Sequence, residues 1–548
     1  MDVDEHARSL ADRYWEGLLE LEPMFGTFVG DDRYDDRLSD PSETGRAAME
    51  ALNRSALEEL GTIDRAALDA TMRGTLDILE ASARRVLADI ERRTDLLAPA
   101  AHFWGPVTAL AEIASLQAVG TPEQLDRYET RLRALPAFLD AWADVAREGV
   151  AAGVTSPRVV AERAVAQLER LLALDPADSP AAVPLGERAE ERERIAAVMR
   201  DVANPAFERY ARMLRDEYLP HATETIGLSA VPGGEGMYEA AILAWTSLPL
   251  GAQEVHELGL ARYASIQEER AQIATRMGFA SAGDALAAHQ ASGANTAASR
   301  EEMLALARDQ VERSWEAAPA FFGRLPDDNC DVRPVEEYRE RDTPLGFYNP
   351  PTEDGSRRGA YYINTSDLEG RPLHHVASLT YHEANPGHHF QISLEQQMTD
   401  RPRLRRFGGM LAGSAFVEGW GLYSERLADE MGLYVDDWER LGMLEAQGLR
   451  AGRLVTDTGI HALGWTRERA VTTLEEIGVP NVDAEIEVDR YIALPGQALA
   501  YMVGMIEIDR ARAASAQRDG AAFSLRDFHD RVLELGELPL PAFRREMS

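Results

Sequence analysis

Apolar residues recur at three- and four-residue spacing, between charges, along residues 64–93, 122–149, 158–174 and 186–217. That period gathers them on one face of an α-helix and leaves the charges on the other. Residues 251–276 and 298–316 repeat the pattern. Pro122, Pro157, Pro176, Pro180 and Pro220 fall where such helices should end. The stretch 219–236, LPHATETIGLSAVPGGEG, has no helical period and is rich in Pro and Gly. It is the expected boundary between an N-terminal helical lobe, 1–235, and a second lobe, 236–548, both parts of one larger domain. Between 325 and 366 turn residues alternate with β-type ones, which predicts one small sheet with Gly359–Thr365 as a strand. From 372 onward helices return. The fold class expected is mainly α with one small β-sheet.

Composition narrows the function. Arg and Lys number 57 against 93 Asp and Glu, a net charge of −36. Such a chain repels phosphate backbones and anionic lipid surfaces, so neither nucleic acid nor membrane is expected as a partner. No lysine occurs, so chemistry that needs one, such as a Schiff base or a Walker A loop, is ruled out. The single cysteine, Cys330, allows no intramolecular disulfide and no thiolate zinc site. The start, MDVDEHARSL, lacks a basic, then apolar, leader pattern, and no run of apolar residues is long enough to span a bilayer. A cytoplasmic setting is the expectation. Nothing in the sequence speaks to oligomeric state.

Five of the 12 histidines lie within 374–389: His374, His375, His382, His388 and His389. Their centre reads YHEANPGHHF, residues 381–390. A His–Glu pair followed by a further His suggests a zinc hydrolase, where two imidazoles hold Zn²⁺ and the Glu beside them takes a proton from water. Two ligands on one helical face are normally four apart. Here that place is Pro386, and on an unbroken helix His388 would face away from His382. Pro386 and Gly387 permit a distortion. A bulge of two residues would bring round His388, and one of three residues His389; the smaller distortion favours His388. The competing reading is a helix end with surface histidines. Glu383 is the expected general base.

A third ligand is sought in FVEGWGLYSERLADE, residues 416–430. Glu418 sits in an apolar stretch where an unpaired carboxylate is costly and a metal partner would offset that cost. Glu425, two turns on, could orient a ligand His or instead pair with Arg426 or Arg453. Farther on, Arg453, Asp457 and His461 are spaced by four and share a helical face. His461 or Tyr501 could stabilise an oxyanion, and Gln497 flanks the same Pro-Gly break. A structural Arg–Asp–His network is the rival account of the first three. The strand before the metal segment, with Tyr362 and Asn364, is expected to offer an edge to a peptide backbone, with Asn364 at a substrate terminus.

The segments HEANPGHH and VEGWGLYSERLADEMGLY resemble the DUF885 family, bacterial proteins placed with the gluzincin metallopeptidases. The likeness continues through 453–471, 490–504 and 528–540 and more weakly into the N-terminal half. The resemblance implies a zincin-like helical metallohydrolase fold with a deep groove. It implies His382, His388 and Glu418 as ligands of one Zn²⁺ and Glu383 as base. Many members look secreted or lipid-anchored, a pattern from which this chain is expected to depart. The function expected is zinc-dependent hydrolysis of amide bonds in short peptides. The alternatives are a metal enzyme acting on a small-molecule amide, with Fe²⁺ or another divalent ion, and a non-catalytic binding protein.

Overall fold

Local chemistry sets where the helices begin and end. The computed structural model describes residues 2–336, 340, 345–353, 355, 357–479 and 481–548, the side chain of Val482 excepted. Near the N-terminus lie α1 (Val3–Leu21), α2 (Glu43–Leu60) and α3 (Ala70–Arg92). The Asp69 side chain caps α3 by accepting the Met72 N–H. Helix α4 (Pro122–Ala152) opens on a reciprocal cap between Thr121 and Gln124. Pro122 occupies its first position, where no N–H is needed, so this proline starts a helix rather than ending one. The single helix expected over 186–217 is divided into Ala189–Val198 and Asn204–Met213, with widened turns after each. Pro205 lacks the N–H that would bond back into the first widened turn.

Helix α5 (Ala252–Arg276) leads toward the three strands β1 (Asp331–Pro334), β2 (Gly346–Asn349) and β3 (Ala360–Ile363). Strand β3 lies in the middle, parallel to β1 and antiparallel to β2, with Tyr361 opposite both Val332 and Tyr348. Both edges of β3 are therefore taken. The expectation of an edge strand open to a peptide backbone is corrected: β3 has no free ladder to offer.

Six helices follow that matter for the site: α6 (His374–Glu383), α7 (His388–Gln396), α8 (Ala415–Glu430), α9 (Asp437–His461), α10 (Asn481–Ala493) and α11 (Ala500–Asp519). Helices α8 and α11 cross at a pair of glycines. A Cβ on Gly419 would fall 2.3 Å from the Gly504 carbonyl carbon, and one on Gly504 would fall 1.7 Å from the Ala415 oxygen. The backbones touch there because neither residue carries a side chain.

The apolar cores do not divide at residue 235. Trp15, Leu76 and Leu79 of α1 and α3 belong to the same buried cluster as Phe390, Trp420, Ile506 and Phe543. A separate cluster, including Tyr128, Leu132, Phe207 and Tyr218, is built between residues 100 and 222. The first three helices thus pack into the core that supports the histidine cluster. The fold is mainly helical with one small three-stranded sheet.

Candidate metal centre

Helix α6 stops at Glu383 and α7 starts at His388, so the distortion is a full interruption of the helix rather than a bulge within it. Ala384 leaves the helix at φ −102°, ψ −106°, and the Asn385–Pro386 peptide is cis. The Pro386 carbonyl accepts hydrogen bonds from Trp420 Nε1 at 2.8 Å and Ser424 Oγ at 3.2 Å, both on α8. Helix α8 therefore pins the break. The restart turns His388 toward His382, with ring centroids 4.6 Å apart and planes at 85°.

His389 points elsewhere. Its Nε2 donates to the Asp328 carbonyl at 2.9 Å, and its Nδ1 accepts from the Tyr348 hydroxyl at 3.0 Å. Burial pushes this imidazole down to about 4, so it is neutral with both nitrogens engaged. Of the two candidates for the second position, the fold brings His388 to His382.

Glu418 meets the pair from α8. Its Oε2 lies 3.6 Å from His382 Nε2 and 3.5 Å from His388 Nε2. Gly421, on the same helix, makes room: a Cβ there would stand 2.8 Å from the His382 ring. One further turn on, Glu425 is fully buried and its Oε1 is 2.8 Å from His382 Nδ1. The same carboxylate accepts from Ser378 Oγ at 2.8 Å and Gln447 Nε2 at 3.3 Å. Its rival partners are spoken for, since Arg426 pairs with Glu269 and Arg453 with Glu487. With Nδ1–H donated to Glu425, His382 turns its Nε2 toward the cluster, where a metal ion would take the place of the Nε2 proton. Burial would lower this imidazole, but the Glu418 and Glu425 carboxylates outweigh it and raise it to about 9. Burial likewise opposes ionisation of Glu418, and the two imidazoles override it, holding the carboxyl well below its usual range.

These separations fit a metal better than hydrogen bonds. Two ligand atoms at zinc bond lengths on a tetrahedron stand about 3.4 Å apart. Hydrogen bonds between nitrogen and oxygen are shorter, about 2.7–3.2 Å. A second group in the chain shows the contrast. His374 Nε2 and His375 Nε2 lie 2.7 and 2.9 Å from Glu445 Oε2, and Arg270 Nη2 lies 3.0 Å from its other oxygen. That group is a hydrogen-bonded ion cluster, whereas the three atoms of His382, His388 and Glu418 leave space between them. His382 is buried, while the His388 and Glu418 side chains keep 11% and 17% exposure, so the opening is on their side. Glu383 follows His382 directly; its carboxylate takes no hydrogen bond from the described residues, and burial raises its pKa.

The remaining expected residues separate into two places. Tyr501 stays beside the cluster, its ring centroid 6.3 Å from that of His382. Arg453 lies over the Tyr501 ring and Gln497 accepts from Arg490 next to it. His461 is not at the site. Its Nε2 donates to the Tyr491 carbonyl at 2.9 Å and its Nδ1 accepts the Leu228 N–H at 3.3 Å. Burial pushes it down to about 4. The oxyanion role expected for it is corrected: it fastens two backbone segments. Nor does Asp457 bridge Arg453 and His461, because it accepts from the Tyr238 hydroxyl at 2.6 Å and the Gly496 N–H at 3.1 Å. Asn364 is also committed, donating to the Glu340 carbonyl at 2.7 Å and accepting from Ser366 Oγ at 2.8 Å. Tyr362 stacks on Phe347 across β3 and β2, with ring centroids 4.9 Å apart. Both serve the sheet and the loop after it. Ser378, Gln447, Arg450, Glu487 and Arg490 join the site without any local motif to announce them.

The sequence model of the family described as "Bacterial protein of unknown function (DUF885)" matches residues 23–547. The chain belongs to the DUF885 family. Two solved structures share the fold of this DUF885 chain. One, described as "the putative lipoprotein from Colwellia psychrerythraea", superposes with a TM-score of 0.94 at 25% identity, covering 100% of this chain and 99% of its own. The other, described as "a putative lipoprotein of unknown function from Shewanella oneidensis", has a TM-score of 0.75 at 20% identity, covering 98% of each chain. No match is found among curated proteins. The cytoplasmic setting expected from the sequence does not stand, because both structural neighbours carry the description "putative lipoprotein". Among the described residues no single helix is long and apolar enough to cross a membrane.

Proposed function

We propose that this DUF885 protein is a zinc-dependent hydrolase with a zincin-like site that cuts amide bonds in short peptides. The observation that carries the reading is the convergence of His382 Nε2 and His388 Nε2 on Glu418 Oε2 at 3.6 and 3.5 Å. Zinc bound by these three atoms would supply Lewis acidity to a substrate carbonyl and to water. Glu383, next to His382 in the chain, raised by burial and free of hydrogen bonds from the described residues, would accept a proton from the attacking water. The water oxygen bonds to the carbonyl carbon as that proton moves to the Glu383 carboxylate. The C–N bond then breaks as Glu383 returns the proton to the leaving nitrogen, giving one acid and one amine. Arg490 Nη2 donates to the Tyr501 oxygen at 3.1 Å, which leaves the phenolic proton free to reach a developing oxyanion. Two His and one carboxylate also suit iron and oxygen chemistry. The buried carboxylate base beside them favours hydrolysis.

The test is cleavage of a peptide library, with N-acylated amino acids included, by zinc-loaded protein and by Glu383→Gln. The wild type should cut a defined subset, and the variant should lose about 1,000-fold in rate while keeping its metal. Equal activity in the variant would overturn Glu383 as base. A library left intact by the zinc-loaded wild type would overturn the hydrolase reading.

A further inference from the structure

Three arginines lie about Tyr501, which adjoins the metal cluster. Arg453 Cζ lies 4.5 Å and Arg450 Cζ 5.9 Å from the Tyr501 ring centroid. Arg490 Nη2 donates to the Tyr501 hydroxyl at 3.1 Å and to Gln497 Oε1 at 2.7 Å. Among the described residues, Glu487 is the carboxylate bonded to these cations, while the Glu383 charge also acts on Arg450. Glu487 takes Arg453 Nε and Nη2 at 2.9 and 2.8 Å and stands 3.5 Å from Arg490 Nη1. Glu425 lies 3.9 Å from Arg450 Nη2 but is already bound to His382.

Buried cations with too few counter-charges are costly, and a network that was purely structural would satisfy its donors. This one does not. Arg453 Nη1 is buried without a hydrogen-bond partner among the described residues. The missing group is an acceptor carrying negative charge, and a planar guanidinium fork matches a carboxylate.

We infer that this cluster seats a free carboxylate of the substrate, close in the chain to the amide that is cut. Tyr501 lies between the arginines that contact its ring and hydroxyl and His382, with ring centroids 6.3 Å apart. One residue of extended chain advances about 3.3–3.6 Å, so the carboxylate belongs to the residue at the cut or its neighbour. Substrates of this class are peptides cut near their C-terminus and N-acylated amino acids. The inference rests on the hydrolase reading and adds the substrate class to it.

The experiment uses N-benzoylated dipeptides with mixed C-terminal residues and N-benzoylated single amino acids, each as free acid and as carboxamide. Cleavage is measured with zinc-loaded wild type, and equilibrium binding with zinc-loaded Glu383→Gln. Free acids should be preferred over carboxamides by about 100-fold in kcat/KM. Arg453→Lys, and Arg490→Gln at a more exposed position should the first fail to fold, should bring that ratio toward one. Preference for dipeptide acids would identify a peptide terminus, and preference for single amino acids an acylated amino acid; either supports the carboxylate seat. Equal cleavage of acids and carboxamides, with Glu383→Gln inactive on both, would overturn the inference and leave the hydrolase reading standing. Acids bound in preference to carboxamides, with neither cleaved, would uphold the seat and sink the hydrolase reading. Acids neither bound nor cleaved would overturn both.

Discussion

His382 can offer Nε2 to an ion because Glu425 takes the proton on its other nitrogen, at 2.8 Å in a fully buried setting. Orienting carboxylates of this kind are worth about 10–100-fold in metal affinity. Glu425→Ala is therefore expected to weaken zinc binding by about that factor, read by competition with a chelator of known affinity. Glu425→Gln keeps an amide oxygen that can accept the same proton and should lose less. Equal losses in the two variants would contradict the orienting role. That His382, His388 and Glu418 come together was legible because they lie close in sequence and in a recognisable order of residue types. His461 was not, since spacing by four says which residues share a face but not what that face meets. It meets Leu228 and Tyr491, both far off in the chain. Arg453 was singled out, but Arg450 and Arg490 at Tyr501 went unseen for the same reason: their meaning depends on α9, α10 and α11 arriving together.

Among elements, the interrupted α6–α7 pair and the close α8–α11 crossing position the chemistry. The break was foreseeable from Pro386 and Gly387, but its form depends on α8, whose Trp420 and Ser424 hold the Pro386 carbonyl. Gly421→Ala is expected to push a methyl against the His382 ring, 2.8 Å away, and to impair zinc binding. Its cost to stability should be about 1–3 kcal/mol, because a side chain can still shift. Gly504→Ala should cost more, since the added atom would meet a backbone oxygen at 1.7 Å and the helices must part. Denaturant unfolding of the two variants checks the order, and a smaller loss for Gly504→Ala would contradict the packing account. The sheet shows where the sequence falls short at this scale. Texture predicted a strand over Gly359–Thr365, which the structure forms over Ala360–Ile363, but the order β1-β3-β2, which buries it between two neighbours, is set by pairing across the chain.

At the level of the whole molecule, the first three helices share a core with the site helices, so the lobe boundary read from Pro and Gly near 235 does not mark where packing changes. Burial on this scale also sets how stability responds to pH. Asp457 is pushed up to about 7 by burial, against an ordinary value of 3.8. Between those values the folded state holds a proton that the unfolded chain has released. The stability this gives is fully present below about pH 4 and lost as pH rises to about 7. His461 and His529, both lowered to about 4 by burial, act with the opposite sign. Their stability is fully present above about 6.5 and lost as pH falls to about 4. Asp457→Asn removes only the first effect. The stability of wild type minus that of Asp457→Asn should fall by a few kcal/mol from pH 4 to 7, measured by chemical unfolding. A difference independent of pH would contradict a buried, protonated Asp457.

Elemental analysis of the purified protein beside Glu418→Ala, after incubation with zinc and removal of excess ion, addresses the metal centre itself. One zinc per wild-type chain, largely absent from a folded Glu418→Ala, is the predicted result. A folded wild type that retains no zinc, or a Glu418→Ala variant that retains as much as the wild type, would contradict it.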